Sequence, residues 1–372
     1  MALLTNPPPL KLSMFSSPPP SLQTLSPSNA HLCLQTERFL RSLLGRDVRE
    51  ASFLVALSGG TDSLALLCML HALRHRLKIH IGAAYVNHNL RPEAAQEQEY
   101  CEAVCTWLGC EFFTTTLDIP QLARDAGTGI EETARNARYT FFAKLERIYP
   151  YTFLATGHQL DDLAEDVLMR LVRGTGWPGL AGMTAWVPER KLVRPLLLTP
   201  RSALVAFLQG WPLTPVEDAS NQSDAYTRNR VRHTILPLLL QENPSFLETV
   251  ASLWKLGRID EAFFSAELAL SLEKPLPANT SENDLNEPEQ KGLPSPTLES
   301  VHLSTLPAAL RLRLYKRTLA LLGPGQALST TLMLLDEAWQ KKRTGAVFQF
   351  PGNKTATVFR GYIRFTVSSP ES

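Results

Sequence analysis

The sequence predicts an α/β fold, with a doubly wound parallel sheet and a smaller, mainly helical C-terminal domain. Three observations support this prediction. Short apolar runs alternate with helix-length segments as far as Arg173, which is typical of parallel sheets covered by helices. The turn after the first strand-like run, SGGTDS, is rich in glycine and small polar residues. Beyond Pro200 the pattern changes to helix and loop, which indicates a second domain in a chain of 372 residues.

Strands and helices are predicted in strict alternation through the first half of the chain. The strands are short apolar runs bounded by turn-forming residues, and the helices show apolar residues on one face. The predicted strands are 51–57, 78–86, 111–117 and 152–156, and the predicted helices are 63–77, 93–108, 131–148 and 161–173. Because parallel strands place their carboxyl ends at one edge of the sheet, ligands are expected to bind there.

The rest of the chain is predicted to contain further helices, two final strands and two segments without regular structure. The helices are 226–241, 244–273 and a unit at 306–342, and the strands are 346–350 and 355–365. Residues 274–300 are poor in large apolar residues and predict a flexible acidic linker. Residues 1–30 contain seven prolines and no compact apolar segment, and predict a disordered tail. The predicted domains are therefore 31–230 and 231–372.

The net charge, the apolar content and the cysteine pattern exclude several classes of protein. The net charge is +1 and apolar residues make up 44% of the chain, so the whole molecule is not a polycation. No apolar stretch is long enough to span a membrane. Basic residues are concentrated in 169–201 and 311–343, where solvated surface and nucleic-acid contact are both open. The five cysteines form no C-x-x-C motif, which predicts free thiols in a reducing, cytoplasmic compartment.

The glycine-rich turn is a candidate phosphate site, because unpaired N–H groups collect between a strand and a helix. Its two glycines allow close approach of a phosphate, and its three hydroxyls can donate hydrogen bonds. The candidate residues are Ser58, Gly59, Gly60, Thr61, Asp62 and Ser63. Asp62 would repel a phosphate unless a cation lies between them, which predicts magnesium bound to a polyphosphate. The turn lacks the lysine of a Walker A loop. An ordinary capped strand–helix turn is the alternative interpretation.

Polar residues also follow the second and fourth predicted strands. Asn87 and His88 end the second strand within VNHNLRP, and His158, Asp162 and Glu165 follow the fourth within TGHQLDDLAED. If the helix after the fourth strand begins early enough, His158, Asp162 and Glu165 lie on one face of it. Two carboxylates and an imidazole that face the glycine turn suit magnesium, adenylate and base recognition. Alone, each is more typical of helix capping or a helix surface, but their common position favours a shared site.

The turn SGGTDS after a strand resembles the PP-loop of the ATP pyrophosphatase superfamily, which cleaves ATP to AMP and pyrophosphate. VNHNLRPEA, EETARNARY, GHQLDDLAED, LMRLVRGTG, RPLL and TRNRVR resemble the tRNA(Ile)-lysidine synthase family. The likeness is dense from Ser52 to Pro244 and weaker from Leu306 to Phe365. It implies ATP and Mg²⁺ as cofactors. It also implies that C2 of the wobble cytidine in CAU-anticodon tRNA(Ile) is adenylated and that free L-lysine displaces AMP. The lysidine formed would change decoding from AUG to AUA.

The resemblance also implies roles for individual residues. Those implied to be catalytic are Asp62, Arg138, His158, Asp162, Glu165 and Arg230, and Asn87 and His88 are added to the glycine turn as nucleotide-binding residues. Asp62 and Asp162 would bind the metal, while Arg138 and Arg230 would meet phosphate or the adenylated base. The family usually has Glu-Thr where this chain has Glu165-Asp166, so contacts at Asp166 are undefined. The C-terminal region would bind tRNA. Homodimers occur in the family, although no patch in the sequence identifies an interface.

Two other functions stay open. A tRNA thiolase of the same superfamily would need a suitably placed cysteine pair, which the cysteine pattern disfavours. A catalytically silent module that binds ATP or tRNA would require a damaged glycine turn or lost acidic residues, and both features are intact. GTGWPG, residues 174–179, has the spacing of a dinucleotide-binding loop. It follows a predicted helix instead of a strand, so that interpretation is rejected.

Overall fold

The computed structural model describes Phe15 and residues 17–89, 94–216, 227–273, 296–325 and 327–367. The chain divides into two compact units. The first is Met1–Asp166 with Met183–Ala251, and the second is Val167–Gly182 with Ser252–Ser372. This division differs from the predicted boundary at residue 230 in two ways. The first unit extends further along the chain, and the segment that contains GTGWPG belongs to the second unit.

The first unit contains the sheet and its covering helices. In chain order its elements are α1 (Pro27–Leu44), β1 (Ser52–Ala56), α2 (Thr61–Leu77), β2 (His80–Asn87), α3 (Ala94–Leu108), β3 (Glu111–Thr116), α4 (Ile119–Ala126), α5 (Ile130–Ile148), β4 (Phe153–Ala155), α6 (Leu160–Val172), β5 (Trp186–Val187), β6 (Leu192–Val193), α7 (Arg201–Leu208), α8 (Thr227–Arg230) and α9 (Leu236–Glu242). The last turns of α6 belong to the second unit. Of the residues in the predicted helices, Glu93, Tyr226 and Gln326 lie outside the described ranges.

The six strands lie in the order β3-β2-β1-β4-β6-β5, and every neighbouring pair is parallel except β5 with β6. The prediction of a doubly wound parallel sheet is confirmed. Phe53, Leu54 and Val55 of β1 are fully buried, and α2 is buried along most of its length, which explains its nearly continuous apolar sequence. The strand order reverses between β1 and β4, and in open parallel sheets ligands bind at the carboxyl ends of the strands at such a point.

The N-terminal segment packs on the first unit, so the prediction of disorder up to residue 30 is wrong for residues 17–30. Phe15 stacks on Trp107 with ring centroids 4.7 Å apart, and Trp107 Nε1 donates a hydrogen bond to the Ser17 carbonyl at 2.7 Å. Leu22 and Leu25 pack against the core. Scattered apolar side chains between the prolines and serines therefore suffice to anchor this stretch. Residues 1–14 and 16 lie outside the described residues.

The second unit combines helices with a four-stranded antiparallel sheet. Its elements are α10 (Phe246–Glu273), which begins in the first unit, β7 (Thr297–Glu299), α11 (Ser300–Thr305), α12 (Ala308–Leu321), α13 (Ser329–Gln340), β8 (Val347–Phe350), β9 (Lys354–Val358) and β10 (Tyr362–Val367). The strand order is β7-β10-β9-β8. The predicted strand 355–365 is in fact two strands, because a turn ending at Gly361, with φ 141°, separates them.

Two further differences from prediction concern this second unit. The end of the predicted linker 274–300 forms β7, in which Leu298 pairs with Ile363, while residues 274–295 lie outside the described ranges. Arg311, counted as part of a basic patch, is buried and paired with Asp336, so it adds no charge to the surface. Across the described ranges, no helix is both long and apolar enough to cross a membrane.

Candidate active site

The glycine-rich turn between β1 and α2 is held closed by its own serines. Ser63 Oγ donates to the Gly60 carbonyl at 3.1 Å and accepts from Ser58 N at 3.1 Å. Gly59 has φ 78°, and a Cβ added there would lie 3.2 Å from Cys101 Sγ. The Ser63 hydroxyl, predicted to donate to phosphate, therefore shapes the turn, whereas the first N–H groups of α2 have no partner within the helix. These amides provide an anion site.

Asp62 lies in the first turn of α2 and has a buried carboxylate oxygen, Oδ1, for which the described residues offer no hydrogen-bond partner. Burial raises the pKa of Asp62 to about 6; the negative charge of Asp162 adds to the rise, while Arg201 and Arg232 oppose it. A buried, unpartnered carboxylate oxygen beside a second carboxylate fits a divalent cation.

The donor set is nevertheless incomplete for a metal held by protein alone. No group of three or more His, Cys, Asp or Glu side chains in the described ranges could hold an ion. Mg²⁺ is commonly bound by one or two carboxylates together with substrate phosphates and water. Asp162 Oδ2 accepts one hydrogen bond, from Gln159 N at 3.2 Å, so that oxygen retains a lone pair. The residues present therefore fit a magnesium ion that arrives with a polyphosphate.

His158 lies in the loop between β4 and α6, because α6 begins only at Leu160. The prediction that His158, Asp162 and Glu165 share one helix face is therefore wrong for His158. Its Nδ1 is 2.8 Å from Thr156 Oγ1. Burial, reinforced by the charges of nearby arginines, lowers the pKa of His158 to about 3, so the imidazole is neutral at physiological pH.

Gly157 precedes this histidine in the loop after β4 and lies against the glycine turn. A Cβ at this position would lie 2.9 Å from the carbonyl carbon of Asp62 and 3.0 Å from Ser63 N. Both contacts are with backbone, which cannot rotate away as a flexible side chain can. Only glycine therefore lets the loop after β4 lie against the first turn of α2.

Replacing Gly157 with alanine is expected to displace the first turn of α2, raise KM for ATP about tenfold or more and lower stability by about 1–3 kcal/mol. Steady-state kinetics and a thermal melt measure both effects. Gly129→Ala is a matched control, because Gly129 also precedes a helix and a Cβ there meets nothing within 4 Å. If Gly157→Ala and Gly129→Ala had the same affinity for ATP, the close approach of Gly157 to the first turn of α2 would be contradicted.

Asp162 and Glu165 of α6 are buried and bound by Arg228 and Arg232, and we name these four residues the acid–arginine cluster. Arg228 donates to Asp162 Oδ1 and to Glu165 Oε2, each at 2.8 Å. Arg232 donates to Glu165 Oε1 at 2.5 Å and to Asp162 Oδ1 at 3.0 Å. Two carboxylates face two guanidinium groups, so both acids are held in fixed positions and the cluster has no net charge.

Sequence reasoning missed Arg228 and Arg232 and selected Arg230, which lies between them. Arg230 is exposed and donates to Thr227 Oγ1 at 3.1 Å. Arg228 and Arg232 share one face of the helix because they are four residues apart. Arg230, two positions from each, lies on another face. The helix continues from α8 through a π-helical turn, Val231–Ile235, into α9. The R-x-x-x-R spacing opposite D-x-x-E was the signal that could have identified the pair.

Asn87 and His88 lie at the end of β2, as predicted. Asn87 is buried, and its Oδ1 accepts a hydrogen bond from Asn89 N at 2.9 Å. Burial lowers the pKa of His88 to about 4, with a smaller contribution from the positive charge of Arg138. Arg138 is exposed on α5 and also lowers the pKa of His158. The structure thus brings Arg138 into the electrostatic neighbourhood of both histidines.

Known proteins are similar to this chain in sequence and in fold. A family model described as a PP-loop domain matches residues 32–239. A tRNA(Ile)-lysidine synthase of Nitratidesulfovibrio vulgaris is 46% identical over 330 residues, which make up 88% of this chain and 95% of that protein. Proteins of the same name from Geobacillus kaustophilus and Enterococcus faecalis are 40% and 36% identical, each over 60% of this chain. The chain covers 49% and 48% of these two, so it spans about half of their length.

A solved structure shares the fold. The U34-tRNA thiolase of Methanococcus maripaludis superimposes with a TM-score of 0.51 at 20% identity, over 61% of this chain and 78% of that chain. At this level of identity the likeness concerns the fold alone.

Proposed function

Because the chain belongs to the tRNA(Ile)-lysidine synthases, with their PP-loop domain, we propose that it joins free L-lysine to the wobble cytidine of CAU-anticodon tRNA(Ile) in an ATP-dependent reaction. The observation that carries this proposal is the buried Oδ1 of Asp62, which has no hydrogen-bond partner among the described residues and whose carboxylate is subject to the negative charge of Asp162. A polyphosphate with its cation fits this arrangement. The buried free thiols suit a reducing compartment, so a cytoplasmic location is part of the proposal.

In the proposed first step, ATP adenylates C2 of the cytidine and pyrophosphate leaves. The backbone N–H groups at Gly60 and the start of α2 would hold the pyrophosphate, and Asp62 with Asp162 would hold Mg²⁺. When bound, that ion would neutralise charge on the leaving group. Arg138, exposed near His88 and His158, would meet the phosphates of the nucleotide or of the tRNA.

In the proposed second step, the ε-amine of lysine displaces AMP. Glu165 accepts hydrogen bonds from both arginines, and its proposed role is to position Asp162 and orient lysine. Asp162 Oδ2 would use its remaining lone pair to bind the ammonium group of lysine or the metal. His88 and His158 are neutral at physiological pH, and we assign them hydrogen bonds to the nucleotide.

The thiolase alternative requires a reactive cysteine. Burial raises the pKa of Cys33 and Cys101 to about 12, and the pKa values of Cys68, Cys105 and Cys110 are also raised by burial. Thiolate, the nucleophilic form, is therefore suppressed at every cysteine of the chain. The silent-module alternative requires lost acidic residues, whereas Asp62, Asp162 and Glu165 are all present in one site.

One assay separates these functions. The protein is incubated with ATP, Mg²⁺, radiolabelled lysine and unmodified CAU-anticodon tRNA(Ile). Transfer of label to the tRNA, with release of pyrophosphate, is expected. Sulfur incorporation from a persulfide donor would instead identify a thiolase, and binding without either reaction would identify a silent module.

Arg232 and Arg230 are expected to affect the reaction differently. Arg232→Ala removes a partner of both carboxylates and is expected to lower kcat about 100-fold or more, as loss of a positioning contact does. Arg230→Ala is expected to raise KM for tRNA and leave kcat nearly unchanged, because Arg230 lies outside the acid–arginine cluster. Steady-state lysine transfer with varied tRNA distinguishes the two. A fall in kcat for Arg230→Ala of the same size would overturn the assignment of Arg232.

A further inference from the structure

A cavity of about 530 Å³ lies within the second unit of the chain, bordered by the segment that contains GTGWPG and by helices α10, α12 and α13. Residues 175–178 line one part of it, and side chains of the three helices line most of the rest. The acid–arginine cluster lies in the first unit, so this cavity is not part of the proposed active site. Its volume is that of pockets which enclose a small molecule. We name it the α12 cavity.

The α12 cavity has an excess of positive charge. Arg313, Lys316 and Arg317 of α12 line it, whereas Glu261 is the acid among its described lining residues. Lys316 and Arg317 are exposed. A Cβ added at Gly179 would lie 3.4 Å from Lys316 Nζ, so this ammonium group reaches the GTGWPG segment. A concave surface with more cations than acids attracts an anion.

The α12 cavity also contains flat groups on which a nucleobase can stack. Cζ of Arg313 lies 3.5 Å from the centre of the Phe264 ring, and Arg313 Nη1 donates a hydrogen bond to the Ala309 carbonyl at 2.9 Å, so the guanidinium is held over that ring. In the GTGWPG segment, Trp177 Nε1 donates to Asp260 Oδ2 at 2.8 Å, which fixes the indole and engages that carboxylate. Guanidinium and indole groups held in this way are stacking partners of aromatic bases.

Helix α13 begins at the edge of the α12 cavity. Its first residue, Ser329, and Leu332 in the next turn both line the cavity. The residue before the helix, Leu328, provides no side-chain hydrogen bond to the first N–H groups of α13. These N–H groups have no partner within the helix, and the positive end of the helix dipole lies with them. The start of α13 therefore adds to the attraction of the three cations for a phosphate.

We propose that the α12 cavity binds a free nucleoside monophosphate, with the base stacked on Trp177 and on the Phe264–Arg313 pair and the phosphate held by Lys316 and Arg317. An inorganic anion would leave the aromatic groups without a partner, and an uncharged apolar molecule would leave the cations without one. The concave shape favours a single nucleotide over an RNA strand, which needs a groove that follows its backbone. This site is independent of the proposed lysine transfer, because the acid–arginine cluster belongs to the other unit.

Photolabelling of the full chain with an azido derivative of AMP locates the site and measures its affinity. Label is expected on peptides that contain Trp177 or residues 312–332, and Lys316→Glu is expected to weaken this labelling about tenfold or more, because a carboxylate replaces a cation beside the phosphate. Arg343→Glu is the matched control, because Arg343 is exposed in the same unit, does not line the cavity and undergoes the same change of charge. Label confined to the first unit, or equal loss in the two variants, overturns the proposal.

Competition with unlabelled compounds tests the class of ligand. AMP is expected to remove the label from the α12 cavity, while adenosine and inorganic phosphate compete at least about tenfold more weakly, because each uses only half of the site. Ser265→Trp fills the cavity at an exposed lining position without a change of charge and is expected to abolish the label. Phosphate as effective as AMP would show a site for anions only, and a single-stranded RNA more effective than AMP would show an RNA site. Either result refutes the proposal.

Discussion

Replacing Asp62 with asparagine is expected to reduce lysidine formation by about a thousandfold or more and, at the same time, to stabilise the ligand-free protein. One buried oxygen of this carboxylate has no hydrogen-bond partner among the described residues, and the negative charge of Asp162 acts on it, so its charge is costly until a cation binds. Loss of a metal-binding charge at a phosphoryl-transfer site removes several kcal/mol of transition-state stabilisation. The activity loss is measured as lysine transfer at saturating ATP.

The gain in stability of Asp62→Asn over the wild type should become smaller as the pH is lowered. The pKa of Asp62 in the folded protein is raised from 3.8 to about 6, so the folded state holds this proton more tightly than the unfolded state. Ionised Asp62 therefore destabilises the fold above pH 6 by about 3 kcal/mol, and the penalty disappears as the pH falls towards 4. Asp62→Asn should melt higher than wild type at pH 7 and nearly equally at pH 4.

Thermal melts without ATP and Mg²⁺ measure this difference. Asp125→Asn is the control, because Asp125 is exposed on α4 and should show no comparable gain at either pH. If Asp62→Asn melted lower than wild type at pH 7, Asp62 would be a stabilising residue and the reason for assigning it to a cation would be lost.

Replacing Asp336 with alanine is expected to destabilise the second unit by about 3–5 kcal/mol, because it leaves a buried guanidinium without its partner. Arg311 donates to both carboxylate oxygens of Asp336 at 2.7 and 2.8 Å, and their side chains are only 10 and 7% exposed. Tyr315 adds a third hydrogen bond at 3.0 Å. The melting temperature of this unit should fall on the order of 10 °C.

The adjacent residue provides the control for Asp336. Glu337 pairs with Lys341 on the exposed side of α13, where solvent screens the attraction between the two charges. Glu337→Ala should therefore shift the melting temperature by no more than a few degrees. Similar losses for the two alanine variants, measured by calorimetry, would show that burial of the Arg311–Asp336 pair has no special effect.

The sequence by itself determined strands β1 to β4 of the sheet unit and the long helices α2, α3, α5 and α6 between and after them, whereas β5, β6, α4 and α7 were not predicted. Strand and helix boundaries there agree with prediction to within about two residues, since they follow from apolar periodicity and from glycine-rich turns. Asp62, Asp162 and Glu165 were predicted as site residues because they follow strands whose carboxyl ends must meet at one edge of a parallel sheet. Both signals are local in the sequence, and neither depends on how distant segments pack.

Only the tertiary structure decided which residues these acids contact. Arg228 binds Asp162 across 66 positions of sequence, and the choice of Arg228 and Arg232 over Arg230 depends on how α8 is turned towards α6. Gly157 lies against Asp62 because two strand ends converge. Such contacts depend on the relative orientation of elements, which the periodicity of a single segment does not encode.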